Sequence, residues 1–176
     1  MLEKFKTLFF VKSSLISLYL ALTIPIPFIA IDKLRNLSIV LFGLGLYLII
    51  KLTSDYVEIC DKKISYKTSL ISKTFGRDDW DIFWKDINSI KSLPTSQGSK
   101  VYYFKTIKDE NLLIPQRLEN FERFLSIISR KTGIDVKDIY YISPLWTYKL
   151  LTSLSILMII GEVLTFKYQM LSMLNL

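Results

Sequence analysis

Apolar residues are concentrated in three stretches of this chain, and a charge-rich block separates the second stretch from the third. The first covers Ser13–Ile31 without a charged residue, and the second covers Leu37–Leu52 with Lys51 near its end. The third, Leu150–Phe166, is interrupted by Glu162 and is followed by an apolar tail. At about 1.5 Å per residue, the first stretch makes a helix of roughly 28 Å, close to the thickness of a bilayer's hydrocarbon layer. The pattern predicts three transmembrane helices.

A cleaved signal peptide is the competing interpretation of the N-terminus, because Lys4, Lys6 and Lys12 precede the first apolar stretch. That stretch is longer than a typical signal-peptide core, and no small-residue cleavage site precedes Asp32. A second apolar stretch follows after only a few residues. These features favour a retained helical hairpin.

The positive charges in the short flanks predict the orientation, since Lys and Arg resist translocation. Three lysines lie before the first helix, whereas the loop between the first two helices carries Lys33 and Arg35. The difference is small, so the prediction also uses the central block, which holds fifteen Lys or Arg and thirteen Asp or Glu over 53–146. We expect the N-terminus and this block in the cytoplasm, and the hairpin loop and C-terminus on the other side.

The central block has the alternating pattern of strands, bounded by turn residues. The pattern predicts strands at Tyr56–Cys60, Ile64–Thr68, Leu70–Phe75, Trp80–Trp84, Ile87–Leu93, Val101–Ile107 and Leu112–Ile114. Apolar residues at helical spacing then predict one amphipathic helix at about 118–132, with Gly133 as its C-terminal stop.

The predicted fold is an α+β membrane protein. Residues 1–52 form the N-terminal flank and a transmembrane helical hairpin, with helices at about 13–31 and 37–52. Residues 53–146 form a cytoplasmic, antiparallel β-rich domain closed by the helix, in the layout of a pleckstrin-homology-like roll. Residues 147–176 form a third transmembrane helix and the apolar tail.

Short motifs carry resemblances to known families. The chain resembles bacterial membrane proteins with pleckstrin-homology-like domains, in which Asp86–Ile90 matches the strand before the variable loop. It is also similar to the photosystem I assembly factor family, where a strand ending in Ile-Pro leads into a helix with an Arg-Phe-Leu segment, as in Ile114–Pro115 and Arg123–Leu125. The third span is a departure from that family.

A longer tract, Leu113–Ile139, is similar to small uncharacterised cyanobacterial membrane proteins through its segments Ile114–Arg117 and Thr132–Asp135. These resemblances imply a bacterial inner membrane or a thylakoid, and a role in the assembly or scaffolding of a membrane complex.

Composition argues against several classes of site. The chain has no histidine, the commonest general base and a common metal ligand, and its single cysteine, Cys60, cannot form an internal disulfide or a multi-cysteine zinc site. The net charge of +7 resides mostly in the membrane flanks, which favours anionic headgroups over nucleic acid as partners. We predict no catalytic residues, cofactor or metal. The carboxylates of Asp78–Asp81 are interpreted as a solvated turn rather than a cation site.

The candidate contact residues fall into three groups. A basic surface for a partner or for lipid would use Arg117, Arg123, Arg130 and Lys131, but the interleaved Glu119 and Glu122 dilute its charge and favour an ordinary solvated helix face. Glu162 is a candidate intramembrane polar site or an interfacial carboxylate near Lys167. The interface anchors of the third helix are Trp146, Tyr148 and Lys149.

The sequence therefore predicts a non-enzymatic integral membrane protein whose cytoplasmic domain docks protein partners, in the assembly or stabilisation of a membrane complex. Two alternatives stay open: an oligomeric channel or transporter subunit that uses Glu162, and a domain that senses anionic lipids. Three spans without internal repeats argue against a transporter made of one chain.

Overall fold

The computed structural model describes residues 2–96 and 98–174, with side chains as far as Tyr168. Asn175 and Leu176, the end of the predicted apolar tail, lie outside the described residues. The chain forms two compact units, which are described separately. The α/β unit contains the residues up to Phe9 together with Lys51–Pro144, and the helical unit contains Phe10–Ile50 and the residues from Leu145 onward.

Two antiparallel sheets form the α/β unit. The first has the strand order β1-β2-β3-β4 and the second has the order β5-β6-β7. The strands are β1 (Glu3–Lys6), β2 (Tyr56–Ile59), β3 (Lys63–Lys67), β4 (Trp80–Phe83), β5 (Ile87–Pro94), β6 (Lys100–Thr106) and β7 (Asn111–Leu113). The antiparallel β-rich architecture predicted from the sequence is confirmed, including the hairpin of β6 and β7.

The N-terminal flank belongs to the first sheet, which the sequence did not predict. Strand β1 pairs with β2, so that Lys4 lies opposite Glu58 and Phe5 lies opposite Val57. Along the chain, the two helices of the hairpin therefore lie between two strands that are neighbours in one sheet.

The strand predicted at Leu70–Phe75 is wrong. These residues form a short helix, α4 (Leu70–Thr74), which Ser69 caps by accepting a hydrogen bond from the amide of Ser72 at 3.1 Å. The chain then reverses at Gly76, whose φ of 76° is in the left-handed region that favours glycine.

The closing helix, α5 (Phe121–Thr132), begins three residues later than predicted. Residues 117–119 instead extend the edge of β1: the amide of Leu8 donates to the carbonyl of Arg117 at 2.7 Å, and the amide of Glu119 donates to that of Lys6 at 2.9 Å. The helix ends at Gly133 as expected, with a φ of 73°.

Helix α5 packs against both sheets through its apolar face. Its fully buried Phe124 lies edge to face with Phe5 of β1, with ring centroids 5.5 Å apart. The other members of this core include Val57, Ile64 and Phe104, each with no exposed surface. The core thus joins the N-terminal strand to elements that follow the hairpin in sequence.

The helical unit consists of α1 (Phe9–Thr23), the single turn α2 (Ile26–Ile29), α3 (Asp32–Leu52) and α6 (Leu145–Leu174). Within the described residues, three helices are long and apolar enough to cross a bilayer: Phe9–Ile29, Asp32–Leu52 and Leu145–Tyr168. The break between α1 and α2 lies at Pro25, which has no amide hydrogen to continue the helix.

Helix α1 contacts both other long helices of this unit. The Tyr19 ring stacks on Phe42 of α3 at 5.7 Å, and Lys149 of α6 lies 5.0 Å from the ring of Phe10. At the other end, Phe28 of α2 lies 4.9 Å from Phe166 of α6. The α1–α2 segment and α6 therefore run parallel, with α1 antiparallel to α3.

Gly45 is required for the contact between α1 and α3. The Tyr19 hydroxyl donates to the carbonyl of Phe42 at 2.7 Å, and a Cβ at Gly45 would collide with that hydroxyl, whereas Gly43 has open space. We expect Gly45→Ala to destabilise the helix pair by about 1–2 kcal/mol through overpacking, while Gly43→Ala is neutral or stabilising because alanine favours helix. The midpoint of unfolding in a dodecyl sulfate titration measures both. Equal shifts for the two variants would contradict the contact.

Candidate functional site

A cluster of polar side chains surrounds Asp55, which lies between the end of α3 and the start of β2. The Asp55 side chain is only 7% exposed. Its Oδ1 accepts hydrogen bonds from the amide of Ser69 at 3.2 Å and the hydroxyl of Ser72 at 2.9 Å. Its Oδ2 accepts from the Tyr66 hydroxyl at 3.0 Å and from Nη1 of Arg77 at 3.1 Å. These four donors offset the cost of burying a carboxylate.

The same residue joins the two ends of the helical hairpin. The hydroxyl of Thr7, two residues before α1, donates to the backbone carbonyl of Asp55, three residues after α3, at 2.8 Å. We call the set Thr7, Asp55, Tyr66, Ser69, Ser72 and Arg77 the Asp55 cluster. It fixes the entry and the exit of the hairpin to each other and to α4.

A second carboxylate holds α4 from its other side. Asp79 accepts hydrogen bonds from the amide and the hydroxyl of Thr68, at 2.7 and 2.8 Å, and forms an ion pair with Lys73 of α4 at 2.8 Å. The interpretation of 78–81 as a solvated turn fits exposed Asp78 and is wrong for Asp79, which bonds to neighbouring protein groups. Asp55 and Asp79 together tie α4 and its flanking residues to the rest of the α/β unit.

The environment of these groups alters two acid–base equilibria. Burial, and then the nearby Asp55 carboxylate, raise the pKa of the Tyr66 hydroxyl, so this phenol stays a hydrogen-bond donor at neutral pH. Hydrogen bonds from Lys73 and then from the Thr68 amide lower the pKa of Asp79 from 3.8 to about 2. Asp79 is therefore an acceptor throughout the physiological range.

The lowered pKa of Asp79 predicts a loss of stability in acid. Because the folded-state pKa lies below the unfolded-state value, the stabilisation is complete above about pH 4 and is lost as the pH falls toward about 2. Since the side chain is 29% exposed, we expect only about 1 kcal/mol. Asp79→Asn should flatten the dependence of the urea midpoint on pH over this interval, and Asp78→Asn, an exposed neighbour, should leave it unchanged. Similar slopes for Asp79→Asn and the native chain would contradict this assignment.

The predicted basic residues are dispersed and partly neutralised. Arg123 forms two contacts of 3.1 Å with the carboxylate of Glu3, and Lys131 lies 3.7 Å from Asp61. Arg117 precedes α5. Arg130 is exposed near the end of α5, two turns after Arg123 and on the same side of the helix. Of the four predicted basic residues, Arg123 and Lys131 thus have carboxylate partners, and Arg117 and Arg130 are exposed.

The other predicted residues lie on α6. Trp146 is 63% exposed, Tyr148 is half-buried and Lys149 lies over Phe10, all three in the first turns of α6. Glu162 is half-buried, and within the described part of the chain its Oε2 is buried without a hydrogen-bond partner. No cluster of metal-ligating side chains occurs among residues 2–96 and 98–174.

Sequence reasoning missed Thr7, Asp55 and Arg77. The Ser-x-x-Ser spacing of Ser69 and Ser72 was the available signal for a capped helix, but Asp55 lies in a short polar linker without any motif.

Comparison with known proteins places the chain among cyanobacterial proteins. No family model matches the sequence. The uncharacterised protein slr0269 of Synechocystis sp. is 34% identical over 148 residues, and the match covers 80% of this chain and 74% of that protein. This similarity supports a cyanobacterial origin, as the resemblance of Leu113–Ile139 implied. The chain belongs to the same family as slr0269.

Proposed function

We propose that this protein is a non-enzymatic integral membrane protein whose α/β unit docks protein partners, in the assembly or stabilisation of a membrane complex. The observation that carries the proposal is the Asp55 cluster, in which Thr7 and Asp55 fix both ends of the hairpin to the α/β unit. Because the chain enters and leaves the hairpin at this one place, the α/β unit stays beside any membrane that the hairpin crosses, which suits the docking of a membrane partner.

Membrane insertion of the three long helices is part of this proposal. Its support is their exposed apolar surface: none of the most apolar stretch of α3, and only 6% of that of α6, is buried inside the protein. Apolar faces of this extent are unfavourable in water and favourable in lipid.

The pairing of β1 with β2 supports a defined topology. Because these strands flank the hairpin and belong to one sheet, the N-terminus and the α/β unit must share one side of any membrane that the hairpin crosses. We place both in the cytoplasm from the lysines of the N-terminal flank, which puts the C-terminus on the opposite side.

We further propose that the α/β unit is pleckstrin-homology-like. The support is its four-stranded sheet, its three-stranded sheet and the helix α5 that follows them, with Asp86–Ile90 leading into and forming the start of β5. This fold is compatible with binding of either proteins or lipids, and the fold alone does not determine which of them is bound.

The test is purification of the tagged full chain from its native membrane in mild detergent, with mass spectrometry of the co-purifying chains. We expect one membrane complex or its assembly intermediates. The charge reversals Arg117→Glu and Arg130→Glu should lower that recovery several-fold, whereas Lys108→Glu, at an exposed lysine in the turn after β6, should not. Recovery of this protein alone, as a discrete oligomer, would overturn the docking proposal.

Cys60 can report the orientation of the protein without an engineered cysteine, since it is half-exposed and is the only cysteine of the chain. In spheroplasts, we expect a membrane-impermeant maleimide to modify Cys60 only after permeabilisation. The control is Ile31→Cys in a Cys60→Ser background, because Ile31 is 73% exposed in the hairpin loop and should react in intact spheroplasts. The opposite pattern would reverse the proposed orientation.

Glu162 supports a second candidate, an oligomeric channel or transporter subunit. A buried carboxylate oxygen without a hydrogen-bond partner in an apolar helix is costly, and such residues often mark ion or proton paths. Glu162→Gln should abolish an ion-coupled activity of the reconstituted protein and should leave partner recovery unchanged if the chain is only a scaffold.

A further inference from the structure

Two large apolar side chains project from α4 and the residue that follows it. Leu70 is 83% exposed and Phe75 is 68% exposed. Single exposed apolar residues are ordinary on protein surfaces. These two differ from isolated exposed residues because they lie close together on one short segment, which the buried Asp55 and Asp79 bond to the α/β unit.

Two cations accompany the apolar pair. Lys73 and Arg77 are each held by a carboxylate, at 2.8 and 3.1 Å, and their side chains are still 42% and 52% exposed. An ammonium and a guanidinium have further N–H donors beyond those that reach Asp79 and Asp55. Leucine and phenylalanine with neighbouring Lys and Arg are the composition of segments that lie in the membrane interface.

The chain connectivity places α4 near the end of helix α3. Asp55, which bonds Ser69 and Ser72 of this segment, lies three residues after Leu52, the last residue of α3. Three residues span at most about 10 Å. The amide of Ser54 also donates to the carbonyl of Lys51 at 3.1 Å, which keeps this linker compact.

We infer that α4 and its following turn form a lipid contact, in which Leu70 and Phe75 enter the interfacial layer of the bilayer that α3 crosses, and Lys73 and Arg77 meet headgroup phosphates. The inference rests on the proposed membrane insertion. It gives the Asp55 cluster a second consequence: besides joining the hairpin ends, the cluster holds the lipid contact at the leaflet where α3 ends.

The test uses the full chain with a Cys60→Ser background, reconstituted in nanodiscs of phosphatidylcholine and phosphatidylglycerol. An environment-sensitive NBD label is attached at Phe75→Cys, with Leu70→Cys as the second site. Ile107→Cys is the matched control, because Ile107 is also 68% exposed and lies in the turn after β6. Leu41→Cys, in the middle of α3, reports membrane insertion itself.

Quenching by lipids with a nitroxide near the headgroup distinguishes the outcomes. We expect blue-shifted emission and several-fold stronger quenching for labels at 70 and 75 than for the label at 107. Equal, weak quenching at 70, 75 and 107 with strong quenching by mid-chain nitroxides at 41 would overturn the lipid contact alone. Absence of lipid quenching at 41 would overturn membrane insertion and this inference with it.

Discussion

Asp55→Ala is expected to lower the free energy of unfolding of the α/β unit by about 3–5 kcal/mol. The substitution removes a buried carboxylate that accepts four hydrogen bonds, and it takes the acceptor from the hydroxyl of the half-buried Tyr66 and from that of the fully buried Ser72. Arg77 can rehydrate because its side chain is half-exposed. The loss should therefore come mainly from the buried Ser72, the half-buried Tyr66 and the release of α4.

Tryptophan fluorescence during urea unfolding of the full chain in detergent measures this effect. Trp80 lies 5.8 Å from the ring of Tyr66, and replacing Trp146 by Phe confines the signal to the α/β unit. The control is Asp78→Ala, which removes an exposed carboxylate from the same segment. If Asp55→Ala and Asp78→Ala unfolded at the same urea concentration, the cluster would not stabilise the unit.

Phe5→Ala is expected to cost the same unit about 3–5 kcal/mol, although Phe5 precedes the whole hairpin in sequence. Its side chain is 5% exposed and packs edge to face on the fully buried Phe124 of α5, so truncation opens a cavity in the core. The same fluorescence titration measures the change.

Leu2→Ala is the control for Phe5→Ala, since Leu2 lies in the same N-terminal segment and is 65% exposed. A stability for Phe5→Ala equal to that of Leu2→Ala would mean that the N-terminal segment does not enter the sheet. That result would also favour the competing interpretation of the N-terminus as a cleaved signal peptide, because the folded unit would not need this segment.

The apolar helices and most strands could be predicted because their signals are local. A long uncharged run identifies α1, and alternation followed by a polar turn identifies β6 and β7. The stop of α5 was equally clear from Gly133. Each of these patterns depends on residues within a few positions of one another.

The missed features depend on distant partners. The lysines before α1 indicated a membrane flank. Strand β1 forms because it pairs with β2, and since Val57 lies about fifty residues after its partner Phe5, local periodicity does not reveal the pairing. The residues of α4 have strand-like composition, and the Asp55 carboxylate together with the Ser69 cap makes them helical. Tertiary contacts overrode local propensity in both places.

The candidate site was hidden for the same reason. Arg123 belonged to the predicted basic surface, but Glu3 of β1 neutralises it, and that pairing follows only once β1 is known to be a strand. Asp55 has no motif around it, and its role arises from donors on Tyr66 and α4 that fold back onto it.

Disulfide formation between β1 and β2 in the native membrane tests the central claim most directly, namely that one sheet holds both ends of the hairpin. Lys4 lies opposite Glu58, and their charged groups are 3.5 Å apart. In a Cys60→Ser background, Lys4→Cys with Glu58→Cys should form an intramolecular disulfide that keeps the two fragments together after protease cleavage at a site engineered in the hairpin loop. Lys4→Cys with Val57→Cys, on the other face of β2, should not. Separation of the fragments for both cysteine pairs would contradict the pairing of β1 with β2.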